Sequence, residues 1–222
     1  MQKIILVTGS TDGIGLVTAR MLVSLGHHVL LHGRNPAKLE QVEATLAELP
    51  GGGSFESHVS DLSRMDDVEA LARAVAERHE KLDVLINNAG VFKTGEPVTR
   101  DGLDVRFVVN TIAPYLLTQR LMPLLGASSR VINLSSAAQS PVDPDALAGR
   151  IELLDDFTAY AQSKLALTMW SRSMGLALED DGPAIIAVNP GSLLGSKMVK
   201  DAFGVAGKDI DIGAEILTRA AL

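Results

Sequence analysis

The chain has 222 residues, 46% of them hydrophobic and 21% charged, which is enough apolar material for one α/β domain and leaves no room for extended disorder. A net charge of −7 argues against the basic face of a nucleic-acid binder and against a polybasic membrane anchor, so neither partner is expected. With no Cys, the chain has no disulfide, no thiolate metal site and no cysteine nucleophile.

The first apolar run, Ile4 to Val7, is four residues long before Thr8 and Gly9 intervene. That is too short for a signal-peptide core or a membrane span, and a soluble cytoplasmic protein is expected. From there short apolar runs alternate with helix-length patterns. Strands are predicted at 3–8, 28–32, 54–58, 82–86, 130–134 and 184–189. Several are nearly unbroken Val, Ile and Leu, as strands covered on both faces of a parallel sheet should be. Helices are predicted at 14–25, 36–49, 64–79, 101–124, 157–179 and 211–221, with Pro36 at a favoured first position and Gly26 just past a helix end. This alternation predicts a single doubly wound parallel sheet over 1–222. Segments 139–156 and 192–210 show no regular pattern. Both follow late strands, on the edge where such sheets bind ligands, and they are predicted as substrate loops.

The stretch "VTGSTDGIG" follows the first strand and opens the first helix. Gly9 permits a tight turn, Gly13 lets backbone approach a pyrophosphate, and Gly15 lets helix pack on sheet. The helix N-terminus then offers free N–H groups to phosphate. Gly9, Ser10, Thr11, Asp12, Gly13, Ile14 and Gly15 are therefore the predicted dinucleotide loop. After the second strand the chain reads "HGRNPAKLE", with no acid before Glu40 and with Arg34 and Asn35 at the strand end. A ribose 2′-hydroxyl is usually met there by an acid, whereas a 2′-phosphate suits a guanidinium. NADP(H) is predicted over NAD(H), which stays the alternative.

Tyr160 and Lys164, in "AYAQSKLAL", lie four residues apart on one face of an otherwise apolar helix. An isolated pair of this kind is more often a packed ring beside a snorkelling lysine. The alternative is proton chemistry. A phenol titrates near pH 10, so only about one part in a thousand is ionised at neutral pH. An ammonium one turn away would favour the phenolate, and a downward shift of roughly three units corresponds to about 4 kcal/mol.

Further stretches line up in order: "NNAG" at 87–90, Asn110, "NLSSAA" at 133–138, "YAQSK" at 160–164 and "NPG" at 189–191. Together with the glycine loop they resemble the short-chain dehydrogenase/reductase family over nearly the whole chain. The resemblance implies a Rossmann fold and a catalytic tetrad of Asn110, Ser136, Tyr160 and Lys164, with Ser135 beside the cofactor. It implies that Asp61 and Leu62 contact adenine, that Asn88, Ala89 and Gly90 line the cofactor cleft, and that Pro190 and Gly191 border the nicotinamide. In that reading Tyr160 is the general acid or base, Lys164 lowers its pKa, Ser136 orients the substrate oxygen, and Asn110 holds a relay water. Ser196 and Lys197 would help close the last loop over the cofactor.

Two features depart from the family's compact members. Ser136 and Tyr160 are 24 residues apart (160 − 136), which resembles the retinol-dehydrogenase and protochlorophyllide-reductase members. The chain also stops at "ILTRAAL", so either the sheet lacks its final edge strand or the sequence is a piece of a longer chain. The expected activity is hydride transfer between a nicotinamide and a small-molecule carbonyl or alcohol, by a homodimer or homotetramer. Its rivals are a non-catalytic dinucleotide-binding redox sensor and an epimerase or dehydratase of the same fold. The five histidines show no H-E-x-x-H or comparable spacing, so no metal is expected. Met169, Trp170 and Met174 are expected to pack in the core or, as the resemblance implies, to meet the same helix of a second copy across a two-fold axis. The acids of 139–156 are expected to form a solvated rim.

Overall fold

The computed structural model describes residues 1–178 and 181–222, so residue 179, the last of the helix predicted over 157–179, lies outside the described residues. Six strands form one parallel sheet: β1 (Ile4–Val7), β2 (His28–Gly33), β3 (Ser54–Val59), β4 (Val84–Asn87), β5 (Arg130–Leu134) and β6 (Ala184–Val188). The order is β3-β2-β1-β4-β5-β6. Connections run outward from β1 on one side and from β4 on the other, so a crevice opens between their C-terminal ends. Among the described residues no strand follows the last helix.

The central strands β1 and β4 are buried on both faces, which is why their sequences are continuous apolar runs rather than alternating ones. Helices α1 (Gly13–Ser24) and α2 (Pro36–Ala47) cover one face of the sheet, and α3 (Met65–Arg78) covers the other. Their apolar stripes, Leu22 and Val23 on α1, Leu39, Val42 and Leu46 on α2, and Val68, Leu71 and Val75 on α3, are buried against it. Asp12 caps α1 by accepting from the Gly13 amide at 2.7 Å, and Asn35 caps α2 with Pro36 behind it.

The helix predicted over 101–124 is shorter and interrupted. It comprises α4 (Val105–Phe107), a π turn (Val108–Ile112) and α5 (Ala113–Leu121). π turns inside helices are frequent at functional sites, and this one carries Asn110. The two segments predicted as loops each contain a short helix, α6 (Pro144–Leu147) and α8 (Lys197–Phe203), whose Asp143 and Ser196 caps lay unread in the sequence. Between them runs α7 (Asp156–Leu178), and α9 (Asp211–Ala221) packs Leu217 and Ala221 onto the α1 face. No helix of the described residues is long and apolar enough to cross a membrane.

The start of α7 is fixed by a buried charge. Arg106 is 1% exposed, with Nη2 on Asp104 at 2.6 Å and Nη1 on Asp156 at 2.5 Å. The guanidinium also reaches the Leu153 carbonyl at 3.4 Å. Asp104 caps α4 through the Arg106 amide, so one residue ties together two helix starts. Core packing was expected at Met169 but does not occur: the side chain faces outward, 57% exposed, because the small residues of α7 take the sheet-facing positions instead. Trp170 lies edge-on to Tyr115 with ring centroids 5.4 Å apart.

Candidate active site

The glycine loop leaves β1 where the crevice opens. Gly9 and Gly13 adopt φ of +66° and +57°, which only glycine takes at low cost. Gly15 is constrained differently, because a Cβ there would lie 2.3 Å from both Asn88 Nδ2 and the Gly9 carbonyl oxygen. Asn88 explains the crowding. Its Nδ2 donates to the Thr8 and Gly9 carbonyls at 2.8 and 3.1 Å, drawing the end of β4 against the loop. Ala89 closes the other side, with its Cα 2.9 Å from a Cβ built on Gly9.

From the β2 side the Gly9 amide donates to His32 Nδ1 at 3.0 Å, and the Ser10 amide to the His32 carbonyl at 2.9 Å. Thr11 packs where a side chain on Gly33 would sit. The N-terminus of α1 fits a diphosphate, with Ser196 the side chain nearest to a Cβ built on Gly13, at 3.7 Å. A cavity of about 340 Å³ lies beside it, lined by Asp12, Gly13, Gly195, Ser196, Lys197 and Ile210 among others. Ser196 and Lys197 thus border the glycine loop.

Arg34 stands exposed at the end of β2, and Asn35 is used as the α2 cap. Lys38 reaches Asp12 at 3.8 Å, a second cation near the loop that had no motif to reveal it. Leu62 is buried at 6% exposure in the core beside Val68, so only its backbone is available to a ligand. Asp61 accepts from the Ser63 amide at 2.9 Å. Pro190 is buried, and Gly191 takes φ of +121° where the chain turns out of β6.

Four residues meet beyond the loop. The phenol of Tyr160 faces the Ser136 hydroxyl, and its ring packs on Phe92 at 4.9 Å between centroids. Ser136 Oγ also accepts from the Ala138 amide at 3.1 Å. The adjacent serine is engaged elsewhere: Ser135 Oγ pairs with Thr168 Oγ1 at 2.7 Å. Lys164 is buried, donates to the Leu134 carbonyl at 2.6 Å, and lies 5.6 Å from the Tyr160 ring centroid. Gly90 sits between Lys164 and Asn110, since a Cβ there would be 3.6 Å from Nζ and 3.3 Å from Asn110 Oδ1.

Asn110 is fully buried and its amide is already engaged, accepting from the Val91 amide at 2.8 Å and donating to the Val91 carbonyl and Ser163 Oγ at 2.9 Å. It stitches the π turn to the segment after β4 and to α7. The phenol of Tyr160 is not lowered by the ammonium in this state. Burial pushes it above its ordinary value near 10, and the Ser136 hydrogen bond pulls back only part of that. Lys164 itself is lowered to about 8 by desolvation.

The acids of 139–156 are spent locally. Asp143 caps α6, Asp145 pairs with Arg150 at 2.8 Å, and Asp155 caps α7 through the Thr158 amide. Ile151, Leu154 and Phe157 are instead exposed at this rim, and Phe157 lies 6.5 Å from Phe92, the ring that also backs Tyr160.

Residues 3–204 match the family model described as short chain dehydrogenase. The chain belongs to the short-chain dehydrogenase family. It is 34% identical over 197 residues to human retinol dehydrogenase 13, an alignment covering 85% of this chain and 58% of that protein. It is 38% identical over 202 residues to an Arabidopsis thaliana dehydrogenase/reductase SDR family member, FEY, covering 85% and 54%. The chain therefore spans less than two thirds of the length of these relatives. Its retinol-dehydrogenase-like character agrees with the long spacing from Ser136 to Tyr160. Among solved structures, a metagenomic short-chain oxidoreductase in complex with NADP superposes with a TM-score of 0.75 at 32% identity, over 99% of this chain and 91% of that one.

Proposed function

We propose that the protein is an NADP(H)-dependent oxidoreductase acting on the carbonyl or alcohol group of a small to medium, apolar molecule. The observation that carries the reading is the convergence of Ser136, Tyr160 and buried Lys164, whose Nζ lies 5.6 Å from the Tyr160 ring centroid, on the sheet that bears the glycine loop. A bound nicotinamide supplies or accepts the hydride. The protein's task is then orientation and proton transfer.

In carbonyl reduction Tyr160 donates its phenolic proton to the substrate oxygen, and in alcohol oxidation it takes that proton back. Ser136 holds the same oxygen by a second hydrogen bond and so fixes the face presented for transfer. An ammonium has three donors, of which Lys164 commits one to Leu134, and the others suit the hydroxyls of a ribose. As a negative charge grows on the phenol, the nearby cation stabilises it. The α1 N-terminus beyond Gly13 would hold the diphosphate, since the Ser10 amide is bonded to the His32 carbonyl and the Gly13 amide to Asp12.

Preference for the 2′-phosphorylated cofactor is supported by exposed Arg34, with Lys38 close by, and by the NADP complex among similar structures. An apolar substrate is supported by Ile151, Leu154 and Phe157 at the rim. The test is a panel of aliphatic and aromatic carbonyls followed by NADPH consumption, with NADH in parallel. Turnover of at least one apolar carbonyl that is abolished in Tyr160→Phe is expected. No turnover across the panel and its reverse alcohols would reject the enzyme reading.

A further inference from the structure

Sequence spacing hides one cluster that the fold assembles. His28 opens β2, Glu56 is the third residue of β3, and His79 follows the last turn of α3. In sequence they are 28 and 23 residues apart (56 − 28 and 79 − 56), which matches no metal motif. In space one ligand atom from each lies within 4.8 Å of the others. Glu56 pairs with Leu30 and His28 with Ser54 across the two strands, which puts their side chains on the face that α3 covers.

We propose that His28, Glu56 and His79 bind one zinc ion, which fastens the edge strand β3 to β2 and to the end of α3. Two imidazoles and a carboxylate are a donor set for zinc, and magnesium and calcium prefer oxygen alone. Tetrahedral bonds of about 2.0–2.2 Å put ligand atoms about 3.3 Å apart, so side-chain shifts of roughly 1–1.5 Å close the site. Part of the geometry is already set: His79 Nε2 is 2.9 Å from Glu56 Oε1. The His28 and His79 rings are 5.6 Å apart at 49°. Water fills the fourth position.

The surroundings are organised as metal sites are. His58 Nε2 lies 3.0 Å from Glu56 Oε1, an outer imidazole that orients the carboxylate, and Ser54 Oγ holds His28 Nδ1 at 2.7 Å. The site is sheltered yet reachable, with side chains of His79 and Glu56 11% and 21% exposed. One group competes. Arg78 Nη1 lies 3.4 Å from Glu56 Oε2 and supplies positive charge there, but it is 63% exposed and free to swing into water. The site is remote from the proposed chemistry, because His28 pairs with Ile4 at the start of β1 while the glycine loop leaves its other end. Its role is mechanical: β3 is an outermost strand, with one edge of its backbone unpaired by the sheet.

The experiment uses untagged protein stripped with EDTA and titrated with zinc chloride against a chromophoric chelator, with thermal unfolding in parallel. One zinc per chain is expected, and at one hundred times Kd a rise in Tm of about 5–10 °C. His28→Asn, Glu56→Gln and His79→Gln should each weaken zinc at least tenfold, while Arg78→Ala tightens it. His28→Asn keeps a polar group that can reach Ser54 and leaves the Glu56–His79 bond in place, so it reports on zinc even where the other two lower stability. Sub-stoichiometric binding, an equal Tm rise with magnesium, or unchanged zinc affinity in His28→Asn would overturn the proposal. NADPH binding measured on the same samples should not respond to zinc, which keeps this test separate from the functional reading.

Discussion

The Gly9 amide donates to the Nδ1 of His32, 3.0 Å away on the neighbouring strand. Since Nδ1 accepts, the ring proton sits on Nε2, which faces the Ser60 carbonyl and hydroxyl at 3.2 and 3.0 Å. An imidazole 3% exposed and bonded at both nitrogens has no room for a second proton. Burial lowers its pKa to about 4, with His58 adding to the lowering, while the Ser60 hydrogen bond and Asp61 oppose it.

The sign of the pH effect follows. Between about 6.5 and 4 the unfolded chain holds a proton on residue 32 and the folded chain does not, so this contribution to stability is complete above pH 6.5 and is lost as the pH falls toward 4. A shift of about 2.5 units is worth about 3 kcal/mol. Urea unfolding of His32→Leu should show a shallower loss of stability over that window than the parent. It should also bind NADPH more weakly at pH 7.5, because the Gly9 amide has lost its acceptor. A parallel pH slope in the two proteins would refute the assignment.

Removing the phenolic oxygen should separate binding from chemistry. Tyr160→Phe keeps the ring on Phe92, so NADPH affinity should change by less than about threefold while kcat falls by 10² or more. Ser136→Ala should lower kcat less and raise KM for the carbonyl. Stopped-flow binding beside steady-state kinetics reads both.

Lys164 predicts the alkaline limb. Its pKa of about 8 in the free protein means the cation is lost as pH rises through 8, and kcat/KM for NADPH should fall about tenfold per unit above that. Lys164→Met should be slow at every pH and lack this limb. A limb that survives the substitution belongs to another group.

Gly15→Ala tests how tightly the loop is drawn to β4. The added methyl meets Asn88 Nδ2 and the Gly9 carbonyl at 2.3 Å, so backbone has to move. A destabilisation of about 1–3 kcal/mol is expected, with NADPH affinity down at least tenfold. Calorimetry on the variant measures both.

Much of this was legible in the chain itself. The six strands appear within about two residues of their predicted places, and the central ones were plainest because strands buried on both faces leave an unbroken hydrophobic trace, whereas edge strand β3 (SFESHV) does not. The glycine loop was readable because its turn demands glycine at Gly9 and Gly13. Contacts between distant residues left no such trace. Nothing in "LLHGRN" announces that His32 supports Gly9, and nothing in "DVRF" marks Arg106 as the tie between α4 and α7.

The Arg106 tie bears on how the molecule meets brine. Exposed pairs such as Arg100 with Asp66 are shielded by dissolved ions and weaken as electrolyte accumulates. The guanidinium of residue 106 is shut away from solvent, so counter-ions cannot reach it. The start of α7 held through the Leu153 carbonyl should accordingly keep its shape at ionic strengths that strip the surface of its attractions.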